Sequence, residues 1–307
     1  MKTPYWFLRK SVVAFLLWPF SWGYFLGSRV VFNFRKFGQI KSRRKIVCVG
    51  NILAGGVGKT PIVRQIAKFL DAPVVMRGYK KTENTNGIGD EALMLANDGL
   101  LVHTGDRKSN VILLNKQSKD NSPVVMDDGL QNPKIKKDVS IVVFDENIGV
   151  GNGFLLPAGP LRERLKTVQN ADAIIIIKSN NKNAKKLELP DNVPVFYAEN
   201  KTVSPYSQKQ KLVAFAGIGY PKKFFDSLNN VVYKKAFSDH YQYKDEDILH
   251  LIKVADKKGA KPVTTEKDWV RLNPEFQKDI KFAKLETNID KEFFVWLKDK
   301  LNDNIKK

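Results

Sequence analysis

Cysteine and histidine are scarce in this chain of 307 residues, which has one cysteine and three histidines. A single cysteine, Cys48, excludes an intramolecular disulfide and a cysteine-based metal cluster. Because Cys48 lies inside an apolar run, we predict that it is a small core residue and not a reactive thiol.

Acidic residues are also few relative to basic ones. The chain has 52 lysines and arginines against 32 aspartates and glutamates, which gives a formal net charge of +20. This excess favours anionic partners such as a nucleotide, a phospholipid head group or a phosphorylated substrate, although lysines spread over solvated faces would produce the same excess. No aromatic and basic recognition motif accompanies the charge, so nucleic acid is not expected as a partner.

Charge is absent from a long N-terminal run. Residues 11–28 are eighteen uncharged residues rich in aromatic side chains, about the minimum length for a helix that crosses a bilayer core. More basic residues follow the run than precede it, which would place the rest of the chain in the cytoplasm. A signal peptide is disfavoured because no good cleavage site follows, whereas a helix lying on the membrane remains an alternative because Pro19 interrupts the run. We therefore expect residues 1–36 to form a membrane anchor, with a spanning helix favoured.

Beyond residue 45, short apolar runs alternate with amphipathic stretches, the pattern of an α/β fold with a mainly parallel sheet. The predicted strands are 45–50, 73–76, 110–114, 123–126, 139–144, 173–178, 194–198, 212–216, 231–235 and 261–264. The predicted helices are 59–70, 90–98, 221–229, 245–257 and 290–302. Turn-forming residues at 200–211 predict a linker, which separates a first α/β domain (37–204) from a smaller one (205–307).

A glycine-rich stretch, Gly55-Gly56-Val57-Gly58-Lys59-Thr60-Pro61, joins the first predicted strand to the first predicted helix. Such a loop presents backbone N–H groups to a phosphate, and the positive end of the following helix strengthens the attraction. We expect Lys59 to contact the β- and γ-phosphates and the Thr60 hydroxyl to bind Mg²⁺. Leu53 stands where the usual pattern has its first glycine, and the base-reading element of GTPases is absent. ATP is therefore the expected nucleotide.

Two apolar runs end in aspartate, and each could supply the carboxylate that organises Mg²⁺ beside a phosphate loop. We favour the adjacent pair Asp127 and Asp128 over Asp145, because a cation stabilises two charged carboxylates in one place. Asp90 opens a predicted helix, where capping is the plain interpretation. His240 lies in a predicted loop and by itself would be interpreted as a solvated side chain.

An ordered set of motifs resembles the tetraacyldisaccharide 4′-kinases, the lipid A 4′-kinases of Gram-negative bacteria. The set comprises the apolar N-terminus, Gly55 to Pro61, Arg77-Gly78-Tyr79, Gly89-Asp90-Glu91, Asp127-Asp128-Gly129-Leu130-Gln131, Leu156 to Glu163, Asp239-His240 and Thr265-Glu266-Lys267-Asp268. The match extends over nearly the whole chain. Only the phosphate loop is a strong motif alone, but the ordered set is specific.

The resemblance implies an ATP-dependent lipid kinase that transfers the γ-phosphate to the 4′-hydroxyl of a tetraacylated glucosamine disaccharide 1-phosphate in lipid A biosynthesis. It also implies an N-terminal membrane helix, a RecA-like phosphate-loop domain and a smaller C-terminal α/β domain, with the site in the cleft between the two domains. The acylated lipid and the anionic inner-membrane surface would be the partners, with the catalytic domains on the cytoplasmic side. No obligate protein partner is inferred.

The resemblance implies roles for individual residues. Those expected at ATP and Mg²⁺, in addition to the glycines, are Lys59, Thr60, Asp127, Asp128 and Gln131. Asp90 would be the general base on the 4′-hydroxyl, paired with His240 reaching across from the second domain. The residues expected at the substrate are Arg77, Arg162 and Arg164, since guanidinium groups bind phosphate oxygens in pairs, although a solvated loop charge is the alternative for the last two.

The chain departs from the family's usual motifs at Lys80, Asn132 and Tyr241, where the family usually has glycine, histidine and histidine. None of these departures removes a proposed catalytic group, but they bear on supporting contacts and acyl-chain preference. The main alternative function is a membrane-associated ATPase that cycles between conformations. Such a protein would hydrolyse ATP without a lipid acceptor and would not need Asp90 and His240.

Overall fold

The computed structural model describes residues 4–78, 88–117, 121–179 and 187–303. These residues divide into two compact units. The larger unit contains the described residues within Thr3–Arg77, Leu100–Glu199 and Thr287–Lys307, and the smaller unit contains those within Gly78–Gly99 and Asn200–Glu286. Each unit is therefore built from separate segments of the chain.

Helices and strands alternate along most of the chain. The helices are α1 (Val12–Lys36), α2 (Lys59–Phe69), α3 (Asp90–Asn97), α4 (Arg107–Gln117), α5 (Pro221–Asp226), α6 (Asp245–Lys257), α7 (Glu266–Trp269), α8 (Pro274–Gln277) and α9 (Lys291–Asp303). The strands are β1 (Ile46–Gly50), β2 (Val74–Met76), β3 (Val102–Thr104), β4 (Val124–Asp127), β5 (Val139–Asp145), β6 (Ala173–Ile177), β7 (Val195–Val203), β8 (Leu212–Ala216), β9 (Val231–Ala236), β10 (Lys261–Thr265) and β11 (Lys281–Ile289).

The larger unit is built on a parallel sheet with the strand order β3-β2-β4-β1-β5-β6-β7. Its inner strands are continuous apolar runs, as expected where both faces of a sheet are covered. Cys48, in β1, is fully buried, and burial raises the pKa of its thiol to about 11. The predictions of an α/β fold with a mainly parallel sheet and of Cys48 as a core residue are therefore confirmed.

The smaller unit has its own parallel strands, in the order β11-β10-β8-β9. Helix α6 buries Ile248, Leu251 and Ala255 against a core that includes Val213 and Phe215 of β8. The spacing of these three residues follows the helical period, which is why the sequence predicted this helix correctly.

The segments differ from the predicted domains in two respects. The described residues of Gly78–Gly99 group with the smaller unit, and those of Thr287–Lys307 group with the larger one, whereas the predicted domains were continuous. In addition, β7 continues to Val203, so an extended strand occupies the start of the predicted linker at 200–211. Composition marks a change along the chain, but it does not reveal which segments pack together.

One predicted strand is wrong, and two strands were missed. Residues 110–114 lie inside α4, where Val111 and Leu114 are buried and Ile112 and Leu113 are exposed. A short apolar run fits a strand or a buried helix equally well, so its periodicity does not distinguish them. The missed strands are β3, which has only three residues, and β11, in which polar side chains interrupt the apolar ones.

The N-terminal helix α1 has 25 residues and contains Pro19. Among the described residues, however, no helix combines the length and the apolar character required to cross a membrane. The expectation of a spanning helix within residues 1–36 is thus corrected. The reason is composition: glycine, serine and asparagine dilute the apolar residues of α1, and Arg29, Arg35 and Lys36 fall within its last turns.

Candidate functional site

The glycine-rich loop has the backbone conformation that a phosphate loop requires. It follows β1 and ends where α2 begins at Lys59, with Gly58 as the N-cap residue. Gly55 has a φ of 121° and Gly58 a φ of 74°, values that side chains other than glycine rarely tolerate. The loop therefore depends on these two glycines, and the sequence prediction of strand, loop and helix is confirmed.

Lys59 and Asp128 lie together at this loop. The Lys59 Nζ atom is 3.1 Å from Asp128 Oδ1 and 3.2 Å from the Oδ1 of Asn51. The sheet explains the proximity, because β1 and β4 are parallel neighbours with Val49 opposite Asp127. The residues that follow these two strands consequently emerge at the same edge of the sheet, where ligands bind in open α/β folds.

Asp128 is held in an unusual backbone conformation. Its φ is 50°, which is uncommon for a residue with a side chain. Its N–H donates to the carbonyl of Val49 at 2.8 Å, and the buried Arg107 donates to the carbonyl oxygens of Asp127 and Asp128 at 2.8 and 2.9 Å. Strained residues that their surroundings fix in this way cluster at functional sites.

The charges around Asp128 favour its ionised form. Burial alone would raise the pKa of its carboxyl, but Lys59 and Arg162 outweigh burial and hold the pKa below its ordinary value. The Nη1 atom of Arg162 is 3.1 Å from Asp128 Oδ2. Asp128 is therefore an anion fixed between two cations at the mouth of the glycine loop.

The donor set beside the loop is compatible with Mg²⁺. The Asp128 carboxylate and the Thr60 hydroxyl are oxygen ligands, and Mg²⁺ binds few protein oxygens while it keeps water and phosphate oxygens. No group of three or more His, Cys, Asp or Glu residues that could hold a metal occurs within the described ranges. An ion at this place would thus need oxygens from phosphate and water.

The other predicted metal residues have different surroundings. Gln131 Nε2 donates to the Asn51 carbonyl at 3.0 Å and to Glu163 Oε1 at 2.7 Å, so this amide braces the loop that carries Asp128. Asp127 ends β4 with its side chain buried. Asp145 accepts a hydrogen bond from the N–H of Asn147 at 2.8 Å, which is a turn-forming contact.

The three predicted substrate arginines are not brought together. Arg162 pairs with Asp128, whereas the guanidinium carbon of Arg164 lies 3.8 Å from the centre of the Phe25 ring in α1. Arg77 follows β2 with an exposed side chain. The motif residues Tyr79 and Lys80 lie outside the described residues.

A cavity of about 380 Å³ lies between α1 and the loop that carries Arg164. Its lining is mostly apolar and includes Trp18, Trp22, Phe25, Phe154, Leu161 and Arg164. The cavity thus combines aromatic and aliphatic side chains with one cation.

Asp90 and His240 are in contact within the smaller unit. His240 Nδ1 is 3.2 Å from Asp90 Oδ2. His240 has a φ of 58°, and its N–H donates to the Gly217 carbonyl at 3.0 Å. Asp90 is the first residue of α3 but is not its cap, since Gly89 occupies the N-cap position. The capping interpretation of Asp90 is therefore wrong.

Parallel strands explain how distant residues meet at Asp90. The chain leaves β8 at Gly217, leaves β9 before His240, and leaves β10 before α7 and Arg271. These strands are parallel neighbours, so their carboxyl ends share one edge. Because Asp90 and His240 belong to the same unit, the expectation that His240 reaches across from another domain is corrected.

Several charges surround this pair. Burial would raise the pKa of Asp90, but hydrogen bonds from His240 and Arg271 and the charges of Arg271 and Lys267 hold it below its ordinary value. Lys267 Nζ is 2.7 Å from Glu91 Oε1 and 3.5 Å from His240 Nε2. A carboxylate only accepts hydrogen bonds, so in the contact with Asp90 the His240 Nδ1 is the donor.

Sequence reasoning did not assign roles to three residues of these sites: Asn51, Arg107 and Arg271. Asn51 directly follows a strand that leads into the glycine loop, and that position was a usable signal. The two arginines gave none, because a buried arginine is rare and its partners are distant in sequence.

Comparisons with known proteins identify the family. Residues 13–302 match the family described as tetraacyldisaccharide-1-P 4′-kinase. The tetraacyldisaccharide 4′-kinase of Maricaulis maris is 36% identical over 295 residues, which cover 88% of this chain and 84% of that relative. The enzyme of the same name from Rhodospirillum rubrum is 39% identical over 257 residues, which cover 75% of this chain and 77% of that relative.

A solved structure has a similar fold. It is the crystal structure of an "apo" form of LpxK from Aquifex aeolicus in complex with ATP, with a TM-score of 0.74 and 23% identity. The match covers 95% of this chain and 99% of that one. At this identity, the similarity concerns the fold.

Proposed function

The chain belongs to the tetraacyldisaccharide 4′-kinase family and is a kinase of lipid A biosynthesis; from this premise we propose how its residues divide the work of phosphoryl transfer. ATP is the phosphate donor, and the acceptor is the 4′-hydroxyl of a tetraacylated glucosamine disaccharide 1-phosphate. The observation that carries this assignment is the contact of Asp90 with His240, because an alcohol acceptor must lose its proton as it attacks and a fixed carboxylate can take it.

The glycine loop binds the phosphates of ATP. Backbone N–H groups of Gly55 to Gly58 and the first turn of α2 face an anion at low steric cost, and Lys59 contributes a charge that can follow the β- and γ-phosphates. Lys59 would exchange part of its contact with Asp128 for the phosphate oxygens. Arg162 then remains as a second cation beside Asp128.

Thr60 and Asp128 would hold Mg²⁺, with Gln131 and Arg107 fixing the position of Asp128. When bound, the ion neutralises charge on the phosphate oxygens. The protein's own contribution is to keep Asp128 ionised and its backbone fixed, which Arg107 and the N–H bond to Val49 support.

Asp90 acts as general base. An alcohol is a poor nucleophile at neutral pH, so removal of its proton as the bond to phosphorus forms lowers the barrier. His240 donates from Nδ1 to Asp90 Oδ2 and fixes the carboxylate, which is consistent with the separation of 3.2 Å. The low pKa of Asp90 keeps it ionised, and therefore competent as a base, at neutral pH.

The lipid is met at the membrane surface. Helix α1 exposes a set of large apolar side chains that includes Leu16, Phe20, Leu26, Val30 and Phe34. Together with the basic residues at its end, this composition suits a helix that lies in the head-group region of an anionic membrane. The cavity beside α1 provides an apolar surface for an acyl chain, and Arg164 a cation for a phosphate. Since ATP is cytoplasmic, we assign the protein to the cytoplasmic face of the inner membrane.

The membrane assignment predicts a loss of binding when charge is introduced on α1. The double substitution Phe20→Glu/Val30→Glu should reduce co-sedimentation with anionic vesicles by about tenfold or more. Each apolar side chain that enters the membrane contributes about 1.5–3 kcal/mol to binding, and this contribution is lost. Leu101→Glu is the matched control, since Leu101 is 61% exposed in the larger unit but lies outside α1. Equal binding by the double variant and this control would contradict the assignment.

The function is tested by identifying the product. Detergent-solubilised protein is incubated with Mg-ATP and tetraacyl disaccharide 1-phosphate, and the lipid is analysed by fragmentation mass spectrometry. We expect the mass of one added phosphate on the distal sugar and no gain with a 4′-deoxy substrate. Steady ATP hydrolysis without phosphorylated lipid would instead favour the conformational ATPase.

A further inference from the structure

Arg271 is the largest fully buried side chain in the described part of the chain, with 1% of the residue exposed. Its Nε and Nη2 atoms lie 2.8 and 2.7 Å from Asp90 Oδ2. On its other side, Nη1 donates to Asp268 Oδ1 at 2.9 Å and to the Gly217 carbonyl at 3.2 Å. Removing a permanent charge from water costs free energy, so a guanidinium buried this deeply requires opposite charges and hydrogen-bond acceptors around it.

The donors around Asp90 are distributed unequally. Arg271 Nε, Arg271 Nη2 and His240 Nδ1 all approach the same oxygen, Oδ2. The other oxygen, Oδ1, is buried and has no hydrogen-bond partner among the described residues. A buried acceptor without a partner is destabilising and uncommon in a folded protein. The arrangement thus fixes one oxygen through three donors, whereas the other has an unused acceptor position that a hydroxyl could occupy once substrate enters beside Asp90.

The surrounding charges make Arg271 the central cation of the cluster. Asp90 and Asp268 are both buried carboxylates, and the guanidinium lies between them. Lys267 also faces the cluster, but its shortest ion pair is with Glu91. His240 is shared, since Arg271 Nη2 is 3.4 Å from its Nδ1 and Asp239 Oδ1 is 4.0 Å from its Nε2.

We propose that Arg271 is a positioning residue for proton abstraction: it holds Asp90 as a carboxylate through Oδ2 and leaves Oδ1 as the atom that takes the proton. This role rests on the proposed kinase function. In the reaction, the 4′-hydroxyl proton passes to Asp90 Oδ1 while the sugar oxygen bonds to the γ-phosphorus. The bond from that phosphorus to the β,γ-bridging oxygen breaks, and ADP leaves with the electron pair.

The test is the pH dependence of kcat in Arg271→Gln and Arg271→Lys. An arginine next to an aspartate lowers the aspartate pKa by about 1–3 units. In Arg271→Gln, the acidic limb of the plot of kcat against pH should therefore lie at a higher pH, by about the same amount. The variant should therefore lose most activity at low pH and recover part of it as pH rises. KM for ATP should change less than about threefold, because the ATP-binding residues belong to the larger unit.

Arg271→Lys keeps a charge but loses the forked geometry that contacts Oδ2 twice. We expect a smaller shift of the acidic limb than for Arg271→Gln, together with a lower kcat on the plateau. If Arg271→Gln fails to fold because two carboxylates lose their partner, Arg271→Gln/Asp268→Asn removes one of those charges. This double variant should still shift the acidic limb to higher pH, but by less than Arg271→Gln, because the negative charge of Asp268 is also gone.

Arg44→Gln provides the matched control. Arg44 is 3% exposed and donates to Ser122 Oγ at 2.9 Å in the larger unit, so its loss should lower stability without moving the pH profile. A second check uses the Asp90→Asn background, where Arg271→Gln should lower the residual kcat by less than about threefold because its target is already gone.

The outcomes separate the two hypotheses. A wild-type protein that forms no phosphorylated lipid would overturn the proposed function. A wild-type protein that forms the lipid, while Arg271→Gln loses the same fraction of kcat at every pH, would overturn only the positioning role. An additive loss in the Asp90→Asn background would have the same meaning.

Discussion

Replacing Asp90 with asparagine is expected to lower kcat for lipid phosphorylation by about 10²–10⁴-fold, the usual contribution of a general base. Asparagine has nearly the same shape and can still accept a hydrogen bond from Arg271, so the backbone of α3 should not change. What it lacks is the negative charge and the ability to take a proton. The change is measured as initial rates of lipid product at saturating ATP and lipid.

The pH profile distinguishes the loss of a base from the loss of a contact. In the wild type, the pKa of Asp90 lies below its ordinary value. As pH falls, kcat should therefore stay constant until the pH is low enough to protonate Asp90, and decline below that pH. In Asp90→Asn, no group titrates at this position, and the acidic limb that Asp90 causes should disappear. Persistence of that limb in Asp90→Asn would assign the base to another residue.

Asp98→Asn is the matched control at the other end of the same helix. Asp98 directly follows α3 and pairs with Lys284 at 2.7 Å, so this change also removes a carboxylate from an ion pair. We expect kcat to stay within about threefold of the wild type, because this pair lies at the opposite end of α3 from Asp90 and is separate from the contact of Asp90 with His240. The side chain of Asp98 is only 10% exposed, so the variant should also report any loss of stability. A comparable loss in both variants would indicate that stability of the smaller unit, and not base chemistry, limits the rate.

Replacing Lys59 with alanine is expected to lower kcat by about 10²–10³-fold, the range seen when one group that stabilises developing charge is removed. Negative charge moves onto the phosphate oxygens as the bond to ADP breaks, and Lys59 is the cation that the first turn of α2 presents to them. Affinity for ATP should weaken less than kcat, since the backbone N–H groups of the loop remain. Single-turnover rates and equilibrium binding of a non-hydrolysable ATP analogue measure the two effects separately.

Loss of Lys59 also changes the electrostatics of Asp128. Its carboxylate keeps Arg162 at 3.1 Å but loses Lys59, so the pKa of Asp128 should rise toward its ordinary value. Lys68→Ala, an exposed change near the end of α2, serves as the control and should retain wild-type kinetics. If Lys59→Ala weakened ATP binding and kcat/KM equally while kcat stayed unchanged, Lys59 would contribute only to ground-state binding.

The sequence predicted local features better than tertiary ones. Strand β1, the glycine loop and α2 form within one continuous stretch, so glycine spacing and apolar runs were sufficient to predict them. The contact of Asp90 with His240 joins residues 150 positions apart, and only family resemblance pointed to that pair. Arg271 had no signal of either kind, because its burial depends on two aspartates that come near it only in the folded chain.

The N-terminal helix illustrates a different limit. An uncharged run of eighteen residues predicted a helix correctly, but absence of charge is not the same as apolar character. Glycine, serine and tryptophan are uncharged without being strongly hydrophobic, which is why a run of suitable length did not meet the requirement for a spanning helix.

The split composition of the smaller unit also bears on how this site can be inherited. Asp90 lies in the segment Gly78–Gly99, whereas His240 and Arg271 lie within Asn200–Glu286. A single genetic crossover between these segments would join an aspartate from one parent to a histidine and an arginine from another. The ion pair of Asp90 and Arg271 joins residues that are 181 positions apart. Substitutions around this ion pair must therefore be compatible in both gene segments.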